Sequence, residues 1–221
     1  MTTAAIADPV GFITANTKVL APPLLPELRL HLAEESLPIW MKTEEELGAS
    51  GLPPPYWAFA WAGGQALGRF IIDRPQSVAG MRVLDLAAGC GIGGIAAMKA
   101  GAAEATGNDI DAFAGVAMRL NAELNGVRLD IQIADLLNGP ATLAEVILVG
   151  DVFYEKPLAA RALAWVKACQ NAGAIVLAGD PKRSYFPRDA FEHLAEFRVP
   201  VSRELEDAEI KVTSVWRLKP A

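Results

Sequence analysis

Three carboxylates at the ends of expected strands, Asp85, Asp109 and Asp151, and the glycines that follow the first of them, are the residues best placed to do chemistry. Met81 to Asp111 reads as a buried strand, a glycine-rich turn, a helix, and a second strand ending in acid. Val83, Leu84 and Leu86 form the apolar run of a parallel strand covered on both faces. Gly89, Gly91, Gly93 and Gly94 then allow positive φ and a close approach of ligand to backbone. The helix beginning after them offers unpaired N–H groups at its N-terminus. Gly89-x-Gly91-x-x-Gly94 also satisfies the dinucleotide pattern, which is weak by itself. Asp85, four residues before Gly89, argues against a diphosphate, because an acid beside the turn would repel it. It suits a ligand that carries a cationic centre and an ammonium group. Asp109 stands where a ribose hydroxyl pair would sit.

A second site lies at the end of the strand Val146 to Val149, in Gly150-Asp151-Val152-Phe153-Tyr154-Glu155. An acid followed by an aromatic at a strand's C-terminal end lies beside the reacting end of a bound cofactor in such sheets. The alternative for Asp151 is a helix N-cap before Pro157. Asp135, after the strand containing Ile131 and Ile133, could accept from an adenine amino group or cap the next turn. Trp61 abuts Gly63 and Gly64 at a helix start and suits a cofactor-pocket wall. Tyr56, Trp57 and Phe59 serve equally as pocket or as an aromatic plug.

The elements that must position these groups alternate strand and helix. A helix from Gln65 to Ile72 turns Leu67, Phe70 and Ile71 toward a sheet. Another carries Phe113, Val116, Ala117 and Leu120 inward and stops at Asn125-Gly126. A third starts at Pro157 with Leu158, Ala162, Leu163 and Val166 inward. Ile175 to Leu177 gives a further strand, residues 189 to 196 a short helix, and 198–204 with 211–219 a closing antiparallel hairpin about Glu206-Asp207-Ala208. The N-terminal stretch is less regular: a short helix within Val10 to Leu20, prolines at 22, 23 and 26, and a brief strand through Leu28, Leu30 and Leu32. His31 reads as a surface or edge histidine. Trp40, Met41 and the charged run Lys42 to Glu46 read as loop or a solvated turn.

Composition bounds the function. The 221 residues are 52% hydrophobic with a net charge of −6, which suits one globular core and disfavours a nucleic-acid binder. A basic partner surface remains compatible. Two cysteines, Cys90 and Cys169, suggest no disulfide framework and fit a reducing cytoplasm. No run approaches a membrane span and no secretory leader is evident. No metal site is expected.

The run Asp85-Leu-Ala-Ala-Gly89-Cys-Gly91-Ile-Gly93 resembles the first motif of class I S-adenosylmethionine methyltransferases. The resemblance implies a Rossmann-like seven-stranded α/β sheet, mostly parallel, with a C-terminal antiparallel hairpin and helices on both faces. Three segments are similar to something narrower: Pro55 to Leu67, Asn108-Asp109-Ile110-Asp111 through Asn121 to Asn125, and Gly150 to Tyr154. Together they resemble the seven-β-strand protein-lysine methyltransferases, in particular the electron transfer flavoprotein beta-subunit lysine methyltransferases and their bacterial relatives. Ala62 departs from the proline expected there. The resemblance implies S-adenosylmethionine held by Trp61, Asp85, Gly89, Gly91, Gly93, Asp109 and Asp135. It implies Asp151 and Tyr154 at the catalytic end, matching an acid-x-x-aromatic motif, and a lysine of the flavoprotein beta subunit as acceptor. Residues 1–50 would be an extension on a catalytic domain of 51–221, and the enzyme a monomer. A ribosomal protein or small amine is the alternative acceptor, and a nicotinamide oxidoreductase the alternative class. An adenine methyltransferase is disfavoured, because Asp151-Val-Phe-Tyr154 lacks the paired prolines such enzymes use.

Overall fold

The computed structural model describes residues 8–34, 54–201 and 209–220. Seven strands form one sheet: β3 (Arg82–Leu86), β4 (Glu104–Asp109), β5 (Asp130–Ile133), β6 (Val146–Gly150), β7 (Ile175–Asp180), β8 (Phe191–Pro200) and β9 (Ile210–Leu218). Their order is β5-β4-β3-β6-β7-β9-β8. The first five are mutually parallel, and β9 runs antiparallel to both β7 and β8. Chain order reverses direction between β3 and β6, and a crevice opens outside the strand ends at such a switch point.

Period-two alternation divides the core into two layers. On β3, Val83 faces one layer and Leu84 and Leu86 the other; on β6, Val146 and Leu148 part from Ile147 and Val149 in the same way. The first layer takes α2 (Ala62–Asp73), α3 (Ile92–Lys99) and α4 (Ala112–Leu124), and the second takes α5 (Lys156–Asn171). Leu67, Phe70 and Ile71 of α2 are buried, as their spacing predicts. On α4 the deepest stripe is Ala114, Ala117, Met118, Asn121 and Ala122. Phe113, Val116 and Leu120 are only partly buried, because they flank that stripe rather than face the sheet, and α4 also carries a second cover outside the sheet. On α5, Trp165 and Cys169 join Ala162 and Val166 in the core, while Leu158 and Leu163 stay half-buried.

That cover is the N-terminal stretch. Helix α1 (Pro9–Asn16) begins at an Asp8 cap, and the antiparallel pair β1 (Lys18–Leu20) and β2 (Leu30–Leu32) follows. The expected helix thus ends at Asn16, and its last residues pair as strand instead. Leu25, Leu28 and Leu30 are fully buried, and Phe12 meets Phe113 edge-on at 5.6 Å. His31 is half-buried, its Nδ1 3.2 Å from the Thr17 hydroxyl. Trp40 to Glu46, the boundary near residue 50 and the turn at Glu206-Asp207-Ala208 lie outside the described residues.

The short helix expected over 189–196 is not formed. After one 3-10 turn (Arg188–Ala190), the chain enters β8. Its register on β9 shifts between His193 and Ala195, leaving Leu194 as the extra residue of a bulge. Phe191, Leu194 and Ala195 stand three and four residues apart in sequence, a spacing a helix would share, yet Phe191 packs on one layer and Ala195 on the other because the bulge falls between them.

Gly63 on α2 carries a further structural demand. A Cβ there would collide with the Gly179 carbonyl oxygen at the end of β7 and with the Asp151 carboxylate, and one on Gly179 would strike the Gly63 carbonyl. The start of α2 therefore rests directly on the ends of β6 and β7. Gly63→Ala is expected to destabilise the protein by about 1–3 kcal/mol or more, since rigid backbone must move. A lowered melting temperature checks this, and an unchanged one contradicts it.

Candidate active site

The strand ends at the switch point open into a cavity of about 460 Å³, within the usual range for small-ligand sites. Its walls include Asp85 to Cys90 and Gly93 from the glycine loop, Asp109 and Asp111 after β4, Asp135 after β5, and Gly150, Asp151 and Tyr154 after β6. Tyr56, Trp61 and Arg183 complete the acceptor-side wall. The geometry thus brings every candidate site residue to one cavity except Gly91, which stands behind its wall.

Gly89 and Gly91 have φ of 52° and 80°, and Gly91 is the N-cap of α3. A side chain at Gly91 would strike Met118, so its part is to shape the turn. Asp85 is buried, and its Oδ2 accepts from the Gly94 N–H at 2.8 Å. A Cβ on Gly93 would meet both Asp85 oxygens, at 2.7 and 2.8 Å. Burial pushes the Asp85 carboxyl up to about 7, the Gly94 N–H opposes this, and Asp109 adds to it. The Asp180 carboxyl is also raised by burial to about 7. Both groups therefore retain a proton in the folded chain at pH values where the unfolded chain has released it. Each contributes stability that is full below about pH 4 and lost as pH rises through about 7. The melting temperature of the ligand-free protein is expected to fall between pH 5 and 8, less so in Asp85→Asn. A rise over that interval contradicts the assignment.

Asp109 organises the edge of the site. Its Oδ2 accepts from the Gly89 N–H at 3.0 Å, and its Oδ1 accepts from the N–H groups of Ile110 and Asp111, at 2.8 and 3.1 Å. Asp111 caps α4 by accepting from Phe113 N–H at 2.8 Å, and burial raises its carboxyl to about 6. Asp135 takes the capping geometry: it accepts from the Leu137 N–H and the Asn138 amide, and it pairs with Arg161 at 2.6 Å.

Asp151 has a φ of 56°, an uncommon conformation for a residue with a Cβ, and such outliers gather at functional sites. It does not cap the helix at Pro157; Glu155 holds that position. Its Oδ2 accepts from the N–H groups of Gly63 and Gly64, at 2.6 and 3.2 Å, so it caps α2 from another strand. Its Oδ1 accepts from Arg183 at 2.9 Å. Trp61, the N-cap residue of α2, donates its indole N–H to the Tyr56 carbonyl at 3.0 Å. Tyr56 lies 5.9 Å from Trp61 and 6.0 Å from Tyr154, ring centre to ring centre. Burial first, then Tyr56, raises the Tyr154 phenol to about 12, so it remains neutral. Trp57 is buried and stacked on Phe113, and it also lines the cavity, so it is both plug and wall.

Sequence reasoning overlooked Arg183 and assigned no bonding role to Asn121 and Asn125. Fully buried Asn121 accepts from the His31 N–H at 2.7 Å and donates to the Cys90 carbonyl at 2.9 Å. It ties β2 to the glycine loop across α4. Asn125 accepts from the Arg29 N–H and donates to the Arg29 carbonyl. The signal was their shared helical face, four residues apart. For Arg183 it was the acid at another strand end, Asp180, three residues earlier.

The chemistry of the lining fits S-adenosylmethionine. Carboxylates suit its ammonium and sulfonium, Asp109 its ribose, and the glycine loop admits its methionine end without a clashing Cβ. Among the described residues no cluster of acid, histidine and cysteine side chains could hold a metal ion, and no helix is long and apolar enough to cross a membrane.

Residues 70–179 match the family model described as ribosomal protein L11 methyltransferase. The electron transfer flavoprotein beta subunit lysine methyltransferase of Xenopus laevis is 39% identical over 218 residues, covering 96% of this chain and 87% of that protein. The human protein of the same name is 36% identical over 217 residues, covering 95% and 82%. Magnesium protoporphyrin IX methyltransferase from Synechocystis, crystallised with bound S-adenosylmethionine, shares the fold: TM-score 0.51, 14% identity, 71% of this chain and 79% of that one. This chain, an S-adenosylmethionine-dependent methyltransferase, belongs to the electron transfer flavoprotein beta subunit lysine methyltransferase family.

Proposed function

We propose that the protein transfers methyl groups from S-adenosylmethionine to a lysine of the electron transfer flavoprotein beta subunit. The observation that carries this reading is the placement of Asp151 and Tyr154 on the same cavity as the glycine loop, at the end away from Asp109 along the sheet. The donor, when bound, supplies an electrophilic methyl group on a sulfonium. Trp61, Asp85, Asp109 and the backbone of Gly89 to Gly94 hold it. Asp135 stands at the adenine end, where its cap and its pair with Arg161 fix that wall.

In-line displacement needs alignment of nitrogen, methyl and sulfur more than acid or base catalysis. The chain supplies it by clamping the start of α2 to the strand ends through Gly63, Gly179 and Asp151. The neutral Tyr154 and Tyr56 rings wall the entry, where a lysine stem fits between aromatic faces. The lysine must react as a neutral amine although its ordinary pKa is ~10.4. A pocket that strips water from it lowers that value. Asp151 orients the nitrogen and does not take its proton, because its oxygens are engaged by Gly63, Gly64 and Arg183.

Residues 1–50 serve as an extension and 51–221 as the catalytic domain of a monomer. Buried thiols at Cys90 and Cys169 suit a reducing, cytoplasmic setting. The match to the ribosomal protein L11 family model supports a second reading, a ribosomal protein as acceptor. Labelled methyl transfer to the purified flavoprotein beta subunit and to purified L11, with mass spectrometry of both, tests the two. Lysine methylation of the flavoprotein subunit alone is expected. Labelling of L11 alone overturns the substrate assignment.

A further inference from the structure

Arg183 stands at the acceptor end of the cavity without a part in any expectation drawn from the sequence. Its guanidinium donates to Asp151 Oδ1 at 2.9 Å and lies 5.9 Å from the centre of the Trp61 ring. Its backbone N–H donates to Asp180 Oδ1 at 2.8 Å, which fixes the loop after β7 against the end of that strand. The pair is sheltered, with the Arg183 side chain 22% exposed and that of Asp151 10%. Among the described residues the groups around it come from three places. The end of β6 contributes Asp151, and the following loop Tyr154 with Glu155 and Tyr56 beside it. The end of β7 contributes Asp180, with Ser214 opposite on β9. The start of α2 contributes only N–H groups and the Trp61 ring.

An isolated carboxylate beside an arriving lysine would hold it as an ammonium ion, which has no lone pair to attack a methyl group. We propose that Arg183 keeps the acceptor amine unprotonated, by holding Asp151 in an ion pair and by standing as a fixed cation where a second cation is disfavoured. A neighbouring cation is a known means of lowering an amine's proton affinity. The proton leaves to solvent as the lysine enters. The nitrogen lone pair then forms the N–C bond as the C–S bond breaks, and the proton left on the product amine departs afterwards. Arg183 is a positioning residue here, acting through Asp151 and the local field, and its role rests on the acceptor site proposed above.

The test uses the full chain, S-adenosylmethionine and the flavoprotein beta subunit, with kcat/KM followed from pH 6 to 10. In Arg183→Gln the acidic limb is expected to move up by about one pH unit, so that activity falls about tenfold near neutral pH and recovers in base. Arg183→Lys should keep the limb near its original place. Binding calorimetry in two buffers of different ionisation enthalpy gives a second readout: fewer protons should be released when Arg183→Gln binds the subunit. A limb that does not move, a loss equal at every pH, or a variant that fails to fold makes Arg183 a structural residue and overturns the proposal. Absence of transfer by the unaltered enzyme overturns the substrate reading and this role with it.

Discussion

Asp151→Ala is expected to reduce methyl transfer by at least ~100-fold, the scale of loss that follows when reacting groups are misplaced by about 1 Å. Two effects combine. The acceptor nitrogen loses its orienting carboxylate, and the start of α2 loses the oxygen that receives the Gly63 and Gly64 N–H groups. Arg183 also loses its partner at 2.9 Å. Leaving such donors unmatched costs about 1–3 kcal/mol each, so the melting temperature should drop as well. Asp151→Asn separates the two contributions, since an amide oxygen still caps α2 while the charge is gone. It should melt between the unaltered protein and Asp151→Ala, because its NH2 group now faces the Arg183 guanidinium, yet remain poorly active. Full activity in Asp151→Ala would place the acceptor elsewhere.

The second large effect is expected at the other end of the cavity. Asp109→Ala should weaken S-adenosylmethionine binding by about 1–3 kcal/mol, or roughly 5- to 150-fold in Kd. Asp109 would bond the ribose, and it also holds the N–H groups of Gly89, Ile110 and Asp111 in the free protein. Its removal therefore loosens the glycine loop in addition to deleting a ligand contact. Saturating donor should restore much of the turnover, since the acceptor groups are untouched. Calorimetric affinity equal to that of the unaltered protein would contradict the ribose assignment.

The parallel half of the sheet was legible because its signals are local. Val146 to Val149 is a continuous apolar run, and Val83, Leu84 and Leu86 are broken only by Asp85; each is followed by glycine or acid at a strand end, and both faces of those strands are covered. What failed was the segment where a bulge breaks the period. Phe191, Leu194 and Ala195 keep a helix-like spacing in sequence, and only the long pairing with β9, which shifts at Leu194, reveals the strand. The site divided along the same line. Asp85, Asp109 and Asp151 announce themselves by position at strand ends. Arg183 and Asn121 do not, because their partners Asp151 and His31 stand 32 and 90 residues away. Asp151 shows the mixture most plainly: its place was readable, while its grip on the start of α2 depends on a helix 87 residues earlier.

The placement of the donor is tested most directly by a crystal structure of the protein with S-adenosylhomocysteine. The expected density has ribose hydroxyls on the Asp109 carboxylate, the amino-acid end against the glycine loop beside Asp85, and sulfur facing the opening between Asp151 and Tyr154. Density with the sulfur turned toward Asp135 and Leu137, away from Asp151, would contradict it.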